Sequence, residues 1–393
     1  MKIRIVGAGP AGLCFASLMK RADAAHDIAI VERSPREATW GFGVVFSDRA
    51  LEFLRADDEA LVRELTPHFE SWPQIAIVHD GTRVPVAGNG FSSIGRLQLL
   101  TLLYEHVERL GVPIRFDTEA VADFTDFADA DPDVDLVVAA DGAFSSIRGA
   151  REAAFGTTVD WRPNRFIWYG TTKPFDSLTL TFRRTAHGVF CAHHYRYAPD
   201  RSTFLVEVTE ATWQRAGFER MDERETIAAC ERAFAADLEG HPILSNRSHW
   251  RRFPAVWNER WSAGNVVLLG DALRTAHFSI GSGTRLAMED AVSLAKAFAA
   301  CGNDVPAALA RFQAERLPPV KKICDAANAS LRWYERMDEL VPALDALEFA
   351  YSYMTRTGRV DHAEVRRLDP ALAAAHEAHE AHKARHPRAG AAA

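Results

Sequence analysis

Cysteine is scarce in this 393-residue chain: Cys14, Cys191, Cys230, Cys301 and Cys324 are the five present. They are dispersed, with no CxxC or other metal-ligand spacing, so neither a disulfide framework nor a zinc site is expected. Such a set reads as reduced thiols in a cytoplasmic protein. A basic surplus is also missing: the formal net charge is −7, which argues against a nucleic-acid partner. No apolar run is long enough to span a membrane. Lys2 and Arg4 ahead of an apolar stretch mimic a signal peptide, but Gly7, Gly9, Pro10 and Gly12 interrupt it. There is no internal repeat. The chain does have ordinary globular composition, 48% hydrophobic and 25% charged, enough for two or three packed units.

Four stretches are apolar on both faces, as strands of a covered parallel sheet are: Ile3–Val6, Ile28–Val31, Val134–Ala140 and Val266–Leu269. The first runs through a glycine turn and a helical stretch into the second, a βαβ unit. The middle differs. Arg165–Thr172, Leu178–Arg183, Gly188–Arg196 and Arg201–Thr209 are β-rich, aromatic and separated by turn residues, the pattern of an antiparallel sheet. From about Val305 the pattern is helical, and Ala371–Ala393 reads as disordered. The expected class is therefore α/β, a Rossmann-like GxGxxG domain with an inserted antiparallel β-sheet domain and C-terminal helices. Its boundaries are 1–72, 96–160 and 254–316 for the discontinuous nucleotide-binding domain, 73–95 and 161–253 for the substrate sheet, and 317–393 for the helical region. His376, His379, His382 and His386 recur at roughly helical spacing and read as a solvated helix face; no metal site is expected.

Three motifs sit at the ends of buried strands, where ligands bind in open sheets. In Gly7-Ala8-Gly9-Pro10-Ala11-Gly12 the first glycine permits the turn, the second lets backbone approach a pyrophosphate, and the third allows close helix packing. The helix start supplies free N–H groups to phosphates, and Glu32 ends the second strand where an acid can take ribose hydroxyls. Alone this motif is weak. It is joined by Asp141-Gly142-Ala143-Phe144-Ser145-Ser146-Ile147-Arg148, and by Gly270-Asp271-Ala272 with Gly281-Ser282-Gly283 opening a helix.

Together these motifs resemble the group A flavoprotein monooxygenases, the para-hydroxybenzoate hydroxylase superfamily, over essentially the full chain. The resemblance implies FAD as cofactor, NADH or NADPH as a visiting co-substrate, O2, and a flavin C(4a)-hydroperoxide that hydroxylates an aromatic ring. It implies that Gly7, Gly9, Pro10, Ala11 and Gly12 hold the ADP part of FAD, that Arg96 reaches the phosphates, and that Asp141 serves FAD and the nicotinamide cofactor. Asp271 would bind the ribityl chain, and Gly43 and Val44 lie in the loop beside the flavin ring. Glu32, Arg33, Val121, Gly281, Ser282, Gly283 and Thr284 complete the implied cofactor set. The helix opening near Gly283 would point its positive end at the flavin.

The third motif departs from the common family form, with Arg274 and Phe278 where histidine and proline are usual and Ile280 for one glycine. This variant, and segments such as Asn164-Arg165-Phe166-Ile167-Trp168-Tyr169, resemble the branch of salicylyl-CoA 5-hydroxylase and 2-aminobenzoyl-CoA monooxygenase. The implied substrate is an aromatic acyl-CoA thioester. Two alternatives remain open: hydroxylation of tryptophan or an indole, as in the violacein pathway, and an FAD oxidoreductase that inserts no oxygen. Lys173, Arg183, Arg184, Arg196 and Arg201 are candidates to meet CoA phosphates, against the ordinary alternative of solvated cations. His193 and His277 are the catalytic candidates. Tyr169, His193, Tyr195, His277 and Phe278 are the candidates to line the substrate, with His193 and Tyr195 on one strand face by alternation. A homodimer is left open.

Overall fold

The computed structural model describes residues 1–47, 52–88, 90–119 and 133–385. The chain divides into two compact units, Met1–Glu70 with Ser93–Arg162 and Arg252–Ala327, and Ser71–Ser92 with Pro163–Arg251 and Asn328–Ala393.

The first unit is built on a six-stranded sheet in the order Ser262–Ala263, Val266–Leu268, Leu136–Ala139, Lys2–Val6, Asp27–Val31, Ile114–Arg115. All neighbours are parallel except the Ser262–Ala263 edge. Ile5 lies between Ile30 and Val138 in register. Leu136, Val137, Val138 and Ala139 are buried without alternation, as expected of a strand covered on both faces. The helices Pro10–Ala22 and Gly283–Cys301 pack on each other, which brings the first and third motifs into one neighbourhood.

In the second unit the main path of the sheet runs Ile243–Leu244, Thr157–Thr171, Arg201–Val208, Gly188–Ala198, Leu178–Thr185, Ile75–His79, Thr82–Val86. Pairing is antiparallel except between Leu178–Thr185 and Ile75–His79. Both faces are covered by aromatic packing. On one, Phe204 meets Phe234 edge-on and Phe190 meets Phe218. On the other, Phe182 meets Tyr334 and Phe349.

The C-terminal helices do not form a region of their own from residue 317. From Asn328 on they belong to the second unit, because Trp333, Tyr334, Phe349 and Tyr353 share its hydrophobic core. Up to Arg385 the expected disorder of the tail gives way to structure. Pro370–Arg385 is a helix with Leu372 and Ala373 buried, and His376 stacks on Tyr351 at 3.6 Å. His386 lies outside the described residues.

Candidate active site

The glycine loop of the first unit is explained by close approach. Gly7 has φ +99°, and a Cβ there would lie 2.3 Å from the Ala140 carbonyl oxygen; a Cβ at Gly12 would lie 2.4 Å from the Gly7 oxygen. At Gly9 a Cβ would enter open space, so glycine there leaves the backbone amides approachable. Pro10 occupies the first turn and Ala11 is buried behind it.

Three long helices of this unit begin without a side-chain cap: Pro10–Ala22 after Gly9, Arg96–Arg109 after Gly95, and Gly283–Cys301 after Ser282. None has an acidic residue in its first turn. The next helix, by contrast, is capped by Asp304, which accepts from the Ala307 amide at 3.0 Å. Uncapped amide donors at these three helix starts suit an anionic, polar ligand such as FAD. That is the fit between these residues and the cofactor.

The acidic groups around these helix starts are held in place. Glu32 accepts from the Ala8 and Ser34 amides, each at 2.9 Å; Arg33 beside it is exposed. Asp141 Oδ2 accepts from the Ser146 amide at 2.8 Å, while its Oδ1 is buried with no partner. Asp271 is exposed to water, yet desolvation pushes its carboxyl pKa upward, opposed by the cations Arg96 and Arg274. A carboxylate both accessible and desolvated sits in a recess. Arg148 explains its place in the second motif: it donates to the Ala143 carbonyl at 2.6 Å and to the Ala272 carbonyl at 2.9 Å, tying the second motif loop to the third. Burial pulls its pKa down, opposed by Asp141. Gly43 and Val44 are buried at the start of a strand, and Val121 lies outside the described residues.

The departures in the third motif also have a structural reason. Arg274 is buried and bidentate to Asp290 at 2.6 and 2.9 Å. Arg316 binds Asp290 at 2.9 Å and Glu289 at 2.7 Å. Desolvation opposes the charge on Arg274, but Asp290 outweighs it and its pKa rises. The pair pins the loop to the helix that Gly283 and Thr284 open. Gly281 takes φ +61° as the C-cap of the short turn Phe278–Ile280. His277 is 3% exposed, and its Nδ1 lies 2.8 Å from the Ser279 hydroxyl and accepts from the Ser279 amide. Its ring contacts Phe253 and Phe278 at 4.9 and 4.0 Å. This is turn-forming work that the sequence reading did not anticipate.

In the second unit, strand register sorts the substrate candidates by face. His193 lies opposite Leu205, and Leu205 opposite Trp168. Tyr195 is on the same face, its ring 6.3 Å from that of Trp72. Tyr169 is not: it pairs with Phe204 and His194 on the other face, fully buried at 0% exposure. Of the neighbouring pair Trp168 and Tyr169, Trp168 is the one on the His193 face. Trp168 and Trp72 each carry a buried indole N–H without a hydrogen-bond partner. The sequence reading also passed over Glu207. Its carboxylate, 1% exposed, meets His193 Nε2 at 3.1 Å and accepts from Asn164 Nδ2 at 2.8 Å. A charged residue inside the otherwise uncharged run Ser202–Val208 was the available signal.

Four of the five suggested CoA-phosphate cations are paired with acids within this unit. Lys173 binds Glu239 at 2.7 Å, Arg183 is bidentate to Asp237, Arg184 binds Asp80, and Arg201 binds Asp200 at 2.6 Å. Asp345, Glu348 and His379 bring ligand atoms together, but both acids cap a helix and Lys383 binds Glu348, so this is an ion-pair cluster. Among the described residues no helix is long and apolar enough to cross a membrane.

A Rossmann-like sheet, three uncapped helix starts and two anchored carboxylates define an FAD-binding protein. The FAD binding domain family matches residues 1–327, and the chain belongs to it. It is 40% identical to a salicyloyl-CoA 5-hydroxylase from Streptomyces over 94% of this chain and 73% of that protein. It is 37% identical to a 3-hydroxy-4-methyl-anthranilyl-[aryl-carrier protein] 5-monooxygenase from Streptosporangium sibiricum, over 86% of this chain and 91% of the relative. Among solved structures, a 2-methyl-3-hydroxypyridine-5-carboxylic acid oxygenase superposes with TM-score 0.69 at 16% identity, covering 93% of this chain and 95% of that one. The protein is an FAD-dependent aromatic monooxygenase of the group A type that uses O2 and NAD(P)H.

Proposed function

We propose that this enzyme hydroxylates an aromatic acyl thioester of the salicyl-CoA type, at the ring carbon para to a hydroxyl or amino group. The observation that carries this reading is the likeness to the salicyloyl-CoA 5-hydroxylase, which runs through both units. The second relative, named for an aryl-carrier-protein thioester, supports the thioester as the shared feature. The balanced reaction is arene plus O2, NAD(P)H and a proton, giving hydroxyarene, water and NAD(P)+.

FAD, when bound and reduced, supplies the oxygen-activating chemistry. The residues of this chain bind, orient and move a proton. Gly7, Gly9, Gly12, Glu32 and Arg96 would hold the ADP part, and Asp271 with the Gly281–Thr284 helix start would hold the ribityl and flavin end. On the sheet face, the substrate ring lies against Trp168, His193 and Tyr195. His193 accepts the proton of the substrate hydroxyl, which raises electron density at the para carbon, and returns it once that carbon has shed its own proton. The indole N–H groups of Trp72 and Trp168 are donors for substrate oxygens. His277 shapes the loop rather than moving a proton. Five unpaired thiols fit the reducing cytoplasm.

A substrate panel tests the reading. Salicyl-CoA and 2-aminobenzoyl-CoA should accelerate NAD(P)H oxidation and yield a product heavier by one oxygen, whereas free salicylate should not. Acceleration by tryptophan or another indole, with none by a thioester, would overturn it.

A further inference from the structure

Glu207 is a carboxylate in the interior of a sheet, between a histidine and a carboxamide. A buried carboxylate is costly unless every oxygen is occupied by a donor. Here Oε1 takes the Asn164 amide at 2.8 Å and Oε2 faces His193 Nε2 at 3.1 Å. Three strands supply the group, Thr157–Thr171, Arg201–Val208 and Gly188–Ala198, so its geometry is set by sheet register. All three side chains are under 10% exposed. On its other side the imidazole is stacked by Tyr334, centroids 5.0 Å apart at 29°. A ring held by a carboxylate at its edge and an aromatic on its face has one orientation.

We infer that Glu207, itself held by Asn164, is the positioning residue for His193: it fixes the ring and the proton on Nε2, and it stabilises the imidazolium formed when His193 takes the substrate's proton. No bond other than O–H and N–H is made or broken in this step. The hydroxyl proton passes to His193, the positive charge is matched by Glu207, and the proton returns to the product oxygen. The inference rests on the reading of His193 as the proton acceptor.

The other ionisable groups around the ring do not substitute for Glu207. Cys191 on the same strand and Tyr334 on the covering helix are both pushed to high pKa by burial. Tyr353, Arg356 and Cys191 act on Tyr334 from neighbouring positions. His194, the next residue, faces the opposite side of the sheet. Glu207 is thus the carboxylate of this cluster that hydrogen-bonds His193.

The test is Glu207→Gln in the FAD-loaded enzyme, assayed with salicyl-CoA. The variant keeps the shape and the Asn164 contact but removes the charge. We expect kcat for coupled hydroxylation to fall by about tenfold to a hundredfold, with KM, FAD content and melting temperature close to the parent. Glu207→Asp, which restores the carboxylate, should recover part of that kcat. Asn164→Ala should show the same changes at smaller size. Unchanged kcat in Glu207→Gln overturns the inference. A loss that follows FAD release or melting, or that Glu207→Asp does not relieve, overturns it too. His193→Ala separates the premise: if it keeps full coupling, the proton-acceptor reading fails. If it loses coupling while Glu207→Gln does not, only the positioning role fails.

Discussion

The two units build their sites in opposite ways. In the nucleotide-binding unit the proposed groups are backbone: amides at three helix starts left without side-chain caps, the first of them opened by Gly7, Gly9 and Gly12. In the sheet unit the proposed groups are side chains, His193, Glu207, Asn164, Tyr195 and Trp168, placed by which strand face each occupies. A backbone site is specified by residues that must be small and tolerates little else. A side-chain site is specified by register, and one position of slip moves every group to the wrong face. The first kind should fail abruptly on adding a methyl group, the second by degrees.

The largest effect is expected at Gly7. An alanine there meets the Ala140 carbonyl at 2.3 Å and must also adopt φ +99°. Gly7→Ala should lose at least about 3 kcal/mol of FAD binding, roughly a hundredfold in affinity. The measurement is the flavin-to-protein absorbance ratio after gel filtration. A variant that retains its flavin would show that the loop can open, and that the backbone site is less rigid than the close contacts imply.

Arg274 breaks the contrast from the other side, since here a side-chain pair supports the backbone site. Removing one partner of a buried ion pair strands the other. Arg274→Met leaves Asp290 with Arg316 as its remaining partner, so a loss of about 3 kcal/mol in stability is expected, read by denaturant unfolding. FAD should bind more weakly as well, because the loop between Asp271 and Gly281 loses its tie to the helix. Equal stability with intact FAD binding would mean the pair is dispensable.

This difference also decided what was legible in the sequence. The four buried strands and the glycine motif were readable because each is local: a few consecutive residues carry the signal. The Glu207–His193 contact was not, since it joins strands whose register depends on the whole sheet. That Trp168, and not Tyr169, shares the His193 face was hidden for the same reason, a matter of parity on one strand. Arg274 looked like a departure from the family form, and its reason, Asp290, lies sixteen residues further on, about two turns into the helix that Gly283 opens. Residues 371–385 were misread because their composition is mostly that of a solvated segment, while two apolar residues among them, Leu372 and Ala373, are buried.

His193 and His194 sharpen the comparison within one strand. His194 is buried on the opposite face, against Phe175 at 3.8 Å and with Nε2 2.9 Å from the Thr181 hydroxyl. Desolvation, then the charges of Arg83, Lys173 and His193, hold its pKa well below 6.5. The folded chain therefore keeps it neutral where the unfolded chain would take a proton. Above the unfolded value near 6.5 it costs nothing; below it, stability falls by about 1.4 kcal/mol per pH unit until the folded form protonates. His194→Gln should flatten the stability profile between pH 6.5 and 5.5 by about that amount. An unchanged slope would mean that His194 takes its proton in the folded state.

The smallest effect is expected on the outer cations of the sheet unit. Arg184 and Arg201 are each paired with an acid, Asp80 and Asp200, and both pairs are partly exposed. Such pairs contribute little to stability, and a phosphate would have to displace a carboxylate already in contact. Arg184→Gln and Arg201→Gln should therefore change the KM for salicyl-CoA by less than about twofold, with the same dependence on ionic strength as the parent. A tenfold rise in KM, suppressed by salt, would instead show that the arginines leave their acids for the nucleotide end of CoA. The comparison of the units would then need revision, because the sheet unit would recognise substrate by exchanging ion pairs as well as by register. The free pantetheine thioester of salicylate separates the cases cleanly. It carries the ring and the thioester without the phosphates, so with paired arginines it should be hydroxylated at a kcat close to that of the CoA form.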